Sequence, residues 1–557
     1  MPDVRHMKWW GWGVEGVSFH HEDKPAFRQF LIKIIDLDVN APAASPMSLD
    51  DLPIPAPMIS DQLVVELTDV VGAENAVRDD LDRIVHTYGK SARDLLRIRA
   101  GDIPRVPDVV VYPGNEAEVQ LLVDRAVAAD AVIIPYGGGT SFSGSLSAPE
   151  DETRPVISVD LGRMSRVIDI DEESGVARIQ AGAQGPDLEE QLGEQGWTLG
   201  HYPDSFTHST LGGWVATRSS GMQSDKYGDI SDIARGMRVI MPGKVLEVRP
   251  IPATSTGPSV REMVLGSEGR LGVITEVTVQ VRRIPEVRVI LGYLFPSWEA
   301  GLAAMQEIST SDAHPSITRV SDAKETAFSF STRKKSSRIS ISSLISKGMM
   351  TLLERRGWNL DQMCLSFIGY EGGNAHVARQ KKIVKDIVGK HGGILVGKGP
   401  GVLYDQKKFD TPYIRDFLLD RGAIADVSDT AAPWSKLMPL YSNVMADAEQ
   451  AFAQVGVTGW IMCHLSHSYY TGACLYFTFG FKHDGVDPLA QYERVKNAIQ
   501  QAFVDSAGTL SHHHAVGTEH AAWLEQDISP PGIHMIDGLF TAMDPGRNFN
   551  PGKIIAK

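Results

Sequence analysis

Residues 132–141 read VIIPYGGGTS, an apolar run that ends in three consecutive glycines. The run predicts a buried strand, and the glycines predict a loop whose bare backbone N–H groups can turn inward to cradle a pyrophosphate. The loop lacks the lysine of GxxxxGK[ST] and does not satisfy GxGxxG, so neither an NTPase nor a standard dinucleotide site is supported. Upstream, DVVVYP from Asp108 predicts a strand, and Asn115 followed by Glu118 predicts the capped start of an amphipathic helix ending near Ala129. Downstream, β-branched runs at 156–161, 167–170 and 176–180 predict further short strands, and DLEEQLGEQGW from Asp187 predicts a helix. Strands at 236–241 and 245–248 are joined by a Pro-Gly-Lys turn, and 273–281 alternates with period two. The fold class is α+β.

Around 282–285 the pattern changes, and helix-like stretches such as 377–390 and 489–503 alternate with strand-like runs. The chain thus divides into a less regular segment (1–102), an α+β domain (103–285), a second α+β domain (286–500) and a C-terminal segment (501–557). Residues 40–57, rich in Pro, Ala and Ser, predict an extended connector. With 557 residues the chain is too long for one hydrophobic core. A net charge of -15 excludes general nucleic-acid binding, so any phosphate held here belongs to a small ligand. Cys364, Cys463 and Cys474 contain no CxxC pair and give no disulfide or zinc framework, which fits a reducing compartment. No run of about 18 apolar residues is present to span a bilayer. One segment departs from the acidic background. Arg333, Lys334, Lys335, Arg338, Lys347, Arg355 and Arg356 face only Glu354 between residues 331 and 356, interleaved with Leu344, Ile345, Met349, Met350, Leu352 and Leu353. That composition suits either a solvated loop or a membrane surface.

Three further glycine- and hydroxyl-rich stretches follow the first: DSFTHST at 204–210 leading into LGG, TRSSG at 217–221, and GSEGRLGVI at 266–274. Four such loops in this order resemble the FAD-binding domain of the vanillyl-alcohol oxidase-like flavoproteins, in which the cofactor lies buried between two halves of the domain. On the matching positions, cofactor contacts fall to Pro135, Tyr136, Gly137, Gly138, Gly139, Thr140 and Ser141 in the first loop. Pro203, Asp204, Ser205, Thr210, Gly212 and Gly213 supply the second, and Thr217, Ser219 and Ser220 the third. Glu268, Gly269, Gly272, Val273 and Ile274 supply the fourth. The resemblance implies non-covalent FAD, because PYGGGTS offers no histidine or cysteine where covalent relatives tether the flavin.

The likeness sharpens to the alkyldihydroxyacetonephosphate synthase family through MKWWGWG (7–13), GHYPDS (200–205), TPYIRD (411–416), GACLYF (472–477) and SHHHAVG (511–517). The family implies Tyr476 as acid/base, His512, His513 and His514 as its histidine run, and Arg415 and Arg319 as substrate-binding arginines. By pattern alone a tyrosine in LYFTF is more often a core strand residue. The chemistry is coherent: a phenol titrating near 10 needs a cation or a histidine to act near neutral pH, and an arginine fork suits a phosphate dianion. The implied reaction exchanges the acyl chain of 1-acyl-glycerone 3-phosphate for a long-chain fatty alcohol, with oxidised FAD holding the carbon and no net electron transfer. The cap domain, the C-terminal segment completing the active site, and a homodimer are implied likewise. His464 and Thr518 stand where the family pattern has arginine and lysine.

Other readings stay open at this level. The same scaffold hosts 2-hydroxyacid and alcohol dehydrogenases, which would reduce their flavin, and a membrane-surface lipid-binding protein keeping FAD structurally is a third possibility. His464 and His467, in CHLSH, are the best metal-like pair, spaced to face one way on a helix, but no acidic residue lies beside them and a non-metal role is expected. Neither the N-terminus nor the final Ile-Ile-Ala-Lys resembles a peroxisomal signal, so the expected place is the cytoplasm, peripheral to the inner membrane face.

Overall fold

The computed structural model describes residues 7–332, 347–407, 409 and 411–555. Strands β1 (Ala76–Val77), β2 (Val109–Val111), β3 (Val132–Tyr136) and β4 (Val156–Asp160) form one sheet in the order β1-β2-β4-β3. Both β2 and β3 run parallel to β4, and their unbroken valines and isoleucines are buried on both faces, as parallel strands require. The run that opens the sequence reading is thus the edge strand of this sheet. A second, antiparallel sheet has the order β5-β6-β10-β8-β9, from β5 (Val167–Asp171), β6 (Val176–Gln180), β8 (Ala234–Met241), β9 (Lys244–Val248) and β10 (Val273–Gln280). β7 (Trp197–Thr198) and β11 (Arg282–Arg283) pair separately.

The helix Glu116–Ala128 packs between the two sheets through Val119, Leu122, Val123 and Ala126, a stripe at helical spacing. Its start is fixed as the sequence predicts, with the Asn115 side chain accepting from the N–H of Glu118.

Beyond residue 286, β12 (Val287–Phe295), β13 (Ile317–Ser321), β14 (Cys364–Gly372), β15 (Ile394–Gly397), β16 (Ala423–Pro433), β17 (Gly459–Ser468) and β18 (Gly472–Lys482) form one sheet. Its order is β15-β12-β14-β13-β17-β18-β16. The helices Trp298–Ser309, Asn374–Lys390, Trp434–Gln454 and Pro488–Asp505 cover one face and share a core with Val320, Ile368, Leu465, Leu475 and Phe477. Alternation then sends the intervening side chains to the opposite face.

The described C-terminal residues return to the core of the first two sheets. Leu510, Trp523, Phe540, Phe549 and Ile554 belong to the core of the first two sheets, and Ile133 of β3 bonds to the backbone of Asn548 and Asn550. Residues 40–57 contain no strand or α-helix, and Leu49–Asp51 forms a short helical turn. In the basic and apolar segment, Leu353 is buried in a satellite core and Leu352 is exposed; Arg333, Lys334, Lys335, Arg338, Leu344 and Ile345 lie outside the described residues.

The glycine loop is shaped by packing. A Cβ on Gly138 would overlap the carbonyl of His208, and Gly139 adopts a φ of 66° with its Cβ position against the Tyr136 hydroxyl. The first loop is therefore pressed onto the second. We expect Gly138→Ala to cost about 2 kcal/mol or more through overpacking, read as a lower thermal midpoint and loss of bound flavin on gel filtration.

Candidate active site

One cavity of about 770 Å³ lies between the glycine loops and the face of the large sheet turned away from its four helices. Of the residues the sequence assigns to the cofactor, all but Val273 line it. Val273 opens β10 and is fully buried in the first core, so its side chain serves packing. Outside any strand, the N–H groups of Gly138, Gly139, Thr140 and Ser141 donate to no acceptor among the described residues. Four successive orphan donors on a cavity wall fit a pyrophosphate. The Oδ1 of Asn550 is likewise buried there without a partner. Glu268 has a different task. Its Oε1 accepts from the N–H groups of Val516 and Gly517 at 2.9 and 3.0 Å, and its Oε2 accepts from Ser145 Oγ at 2.5 Å, so it ties three loops together. Burial raises its pKa.

Strand register builds the opposite wall. Asp429 of β16 lies opposite Tyr476 of β18, which in turn lies opposite His464 of β17, which pairs with Ser321 of β13. Directly paired residues share a face, so Asp429, Tyr476, His464 and Ser321 point the same way, with Arg319 two residues before Ser321. His464 and His467 therefore sit on a strand, and the expected helix is absent. They still face together, because a bulge between Leu465 and His467 adds one residue and sets His467 opposite Cys474, two residues from Tyr476.

The histidine run is gathered by Asp429. Its Oδ2 accepts from the N–H groups of His512 and His513 at 2.8 and 2.7 Å and lies 3.2 Å from His513 Nδ1, while Oδ1 lies 2.5 Å from His514 Nδ1. Burial alone would raise the Asp429 carboxyl, but the attraction of His514 and His513 outweighs it and holds the group well below the usual range. His513 and His514 line the cavity, with ring centroids 5.8 and 5.5 Å from that of Tyr476; His512 lies behind them. Burial, with Asp204 and Asp429 nearby, pushes the Tyr476 phenol well above its ordinary value despite Arg319. At neutral pH it is a neutral O–H that needs a partner base. Asp429, Cys474, His512 and His513 bring ligand-type atoms within 4.8 Å of one another. The Asp429 oxygens are engaged by backbone N–H groups and imidazole nitrogens, which makes a hydrogen-bond network.

The two arginines differ. Arg415 is 6% exposed, donates through Nη1 to the Lys90 carbonyl, lies 4.8 Å over the Phe142 ring, and has Nε and Nη2 buried without partners. A buried guanidinium on a cavity wall with Nε and Nη2 unused has two donors available to a ligand. Arg319 is engaged: its Nη2 donates to Glu325 Oε1 at 2.9 Å and lies 3.1 Å from His464 Nδ1, itself 2.8 Å from Glu325 Oε2. Burial opposes ionisation of Glu325, yet His464 and Arg319 bring it down to about 2.

The match to known proteins agrees with this geometry. The family model described as "FAD binding domain" matches residues 107–249, and "FAD linked oxidases, C-terminal domain" matches 284–554. Alkyldihydroxyacetonephosphate synthase from Dictyostelium discoideum is 36% identical over 99% of this chain and 94% of its own length. This chain belongs to the alkyldihydroxyacetonephosphate synthase family. The family's representative from Trypanosoma brucei brucei is 34% identical over 99% of this chain and 92% of its own. A solved structure of an alkyldihydroxyacetonephosphate synthase superposes with a TM-score of 0.86 at 34% identity, covering 98% of this chain and 99% of that one. The mitochondrial cytochrome D-lactate dehydrogenase of Arabidopsis thaliana is more distant, 25% identical over 81% of this chain and 74% of its own.

Sequence reasoning missed Asp429 and Glu325, which share no local motif with the residues they hold. Asp429 yields a sign-definite expectation. Its folded pKa is depressed, so its stabilisation is present above about pH 4 and is lost as pH falls through the folded value. Asp429→Asn should cost about 3 kcal/mol at pH 7, and in urea melts the gap to the wild type should narrow below about pH 4.

Proposed function

We infer that this chain is an FAD-dependent alkylglycerone-phosphate synthase, exchanging the acyl chain of 1-acyl-glycerone 3-phosphate for a long-chain fatty alcohol without net redox change. The observation that carries this reading is the continuity of one cavity. It joins the orphan backbone donors, the unsatisfied Arg415, the Tyr476 and histidine cluster, and an apolar arm lined by Phe19, Leu31, Ile34, Ile35, Phe328 and Leu418. An acid/base group set between an anion site and an apolar arm suits a phosphorylated lipid. In this reading residues 103–285 hold FAD, 286–500 hold substrate and 501–557 complete the site.

FAD is the cofactor; when bound, it supplies an electrophilic centre that holds carbon without net electron transfer. Attachment is non-covalent in this reading, supported by the absence of histidine and cysteine from PYGGGTS. Arg415 neutralises the anionic end of the substrate. Tyr476 takes a proton from C1 while losing its own to the histidine run, which Asp429 stabilises as it becomes cationic. The buried wall excludes water, so the alcohol that follows the acid competes with little hydrolysis.

Membrane contact near 331–356, a homodimer and a cytoplasmic place at the inner membrane face belong to the same reading. Ser329 and Thr332 line the cavity next to the basic and apolar segment, which supports contact of the apolar arm with lipid there. No helix among the described residues is long and apolar enough to cross a membrane.

The test is incubation of the flavoprotein with 1-palmitoyl-glycerone 3-phosphate and labelled hexadecanol, without electron acceptor. Label should enter a base-stable ether as fatty acid is released, with no net reduction of the flavin accumulating. Flavin reduction by 2-hydroxyacids or alcohols with no ether formed would instead identify a dehydrogenase. Tyr476→Phe should keep its FAD and lose about a hundredfold or more in kcat.

A further inference from the structure

Behind the cavity wall, His512 makes a chain of contacts that the reaction as described leaves unused. Its Nε2 lies 2.6 Å from the Tyr469 hydroxyl, which donates to Asp229 Oδ2 at 2.8 Å. Its Nδ1 lies 2.9 Å from Nδ1 of His513, and His513 reaches the cavity.

Donor arithmetic fixes the tautomers along this chain. Tyr469 has one proton and gives it to Asp229, so it can only accept from His512, whose Nε2 must carry hydrogen. A neutral His512 then presents a lone pair on Nδ1, and the Nδ1–H of His513 is shared between it and Asp429. The remaining nitrogen of His513, Nε2, is left as a free proton acceptor. Burial lowers the pKa of both rings, which favours this neutral starting state. The other groups around His512 do not compete. The His467 ring stacks at 5.4 Å and is kept neutral by burial, down to about 3; Cys474 stays a thiol; and Asp429 is occupied by N–H groups. His514 is held by the other oxygen of Asp429.

We propose, resting on the function given above, that Tyr469 anchored on Asp229 is a positioning residue that sets His513 and His512 as a proton store behind Tyr476. The C1–H bond breaks and its proton goes to the Tyr476 oxygen, while the electron pair stays with carbon. The Tyr476 hydroxyl proton moves to His513 Nε2, and the His513 Nδ1 proton moves to His512 Nδ1. The charge thus comes to rest on His512, between the carboxylates of Asp229 and Asp429. No electron travels along the chain, and the proton returns by the same route when C1 regains hydrogen. Passing the charge back to His512 leaves His513, the ring on the cavity wall, neutral.

Tyr469→Phe in the FAD-loaded enzyme removes the acceptor and frees His512 to take either tautomer. The expected result is a fall in kcat of about tenfold or more, with KM for 1-palmitoyl-glycerone 3-phosphate and FAD content unchanged. A low-field proton resonance from the short His512 and Tyr469 contact, assigned by its loss in His512→Gln, should vanish in the variant. A kcat equal to the wild type, or a resonance that survives Tyr469→Phe, would overturn the proposal. Should Tyr469→Phe not fold, His512→Gln is expected to show the same fall in kcat at unchanged KM, and wild-type kcat there would overturn it. Ether formation by the wild type is measured alongside. Its absence would count against the synthase reading, and the resonance, which needs no turnover, would then decide the relay by itself.

Discussion

The buried carboxylate of Asp429 is the interaction on which the wall of the large sheet and the histidine run depend. Two backbone N–H groups and two imidazole nitrogens converge on its two oxygens, and the carboxylate lies opposite Tyr476 in the sheet. A charge this deep is tolerated only because the donors around it satisfy it. In return it fixes a run of three histidines that local backbone preferences would leave in several conformations. The turn that follows the run is held by a second buried carboxylate, Glu268, which belongs to the glycine loops. The C-terminal segment is thereby clamped between the two halves, and the histidine run and the glycine-loop wall are set relative to each other by two hydrogen-bonded carboxylates.

Charge is distributed so that an acidic protein can still hold anions. The net charge is -15, yet the cavity wall carries Arg415 with two unused donors and a loop of orphan N–H groups. Both act in a low-dielectric enclosure, where a fixed donor is worth far more than on the surface. Arg319 makes the contrast clear. Its charge is balanced by Glu325 and bordered by His464, so it shapes the wall without presenting an uncompensated cation.

Much of this was legible in the sequence, and the reason lies in how local each signal is. The strand and loop at 132–141, the cap at Asn115 and the alternation at 273–280 are set by neighbours within a few residues, and they fold as read. Tyr476 and the histidine run were found through the family pattern, because LYFTF alone reads as core. Asp429 was invisible because its partners lie 83 and more residues away and meet it only through the sheet and the returning C-terminus. The pair His464 and His467 suits a helix by spacing, whereas β-sheet pairing with Tyr476 and a bulge decide the matter. Val273 sits in a cofactor loop motif, and its place at the start of β10 turns its side chain into the core.

The most direct test of this account is hydrogen exchange at C1 of 1-palmitoyl-glycerone 3-phosphate in deuterated water, followed by mass spectrometry for the wild type and Asp429→Asn, both loaded with FAD. If Asp429 sets the base that serves Tyr476, the wild type takes up deuterium at C1 and the variant does so about tenfold or more slowly at equal flavin content. Equal rates of exchange in the two proteins would contradict it, and would mean that proton removal at C1 does not depend on the carboxylate that organises the histidines.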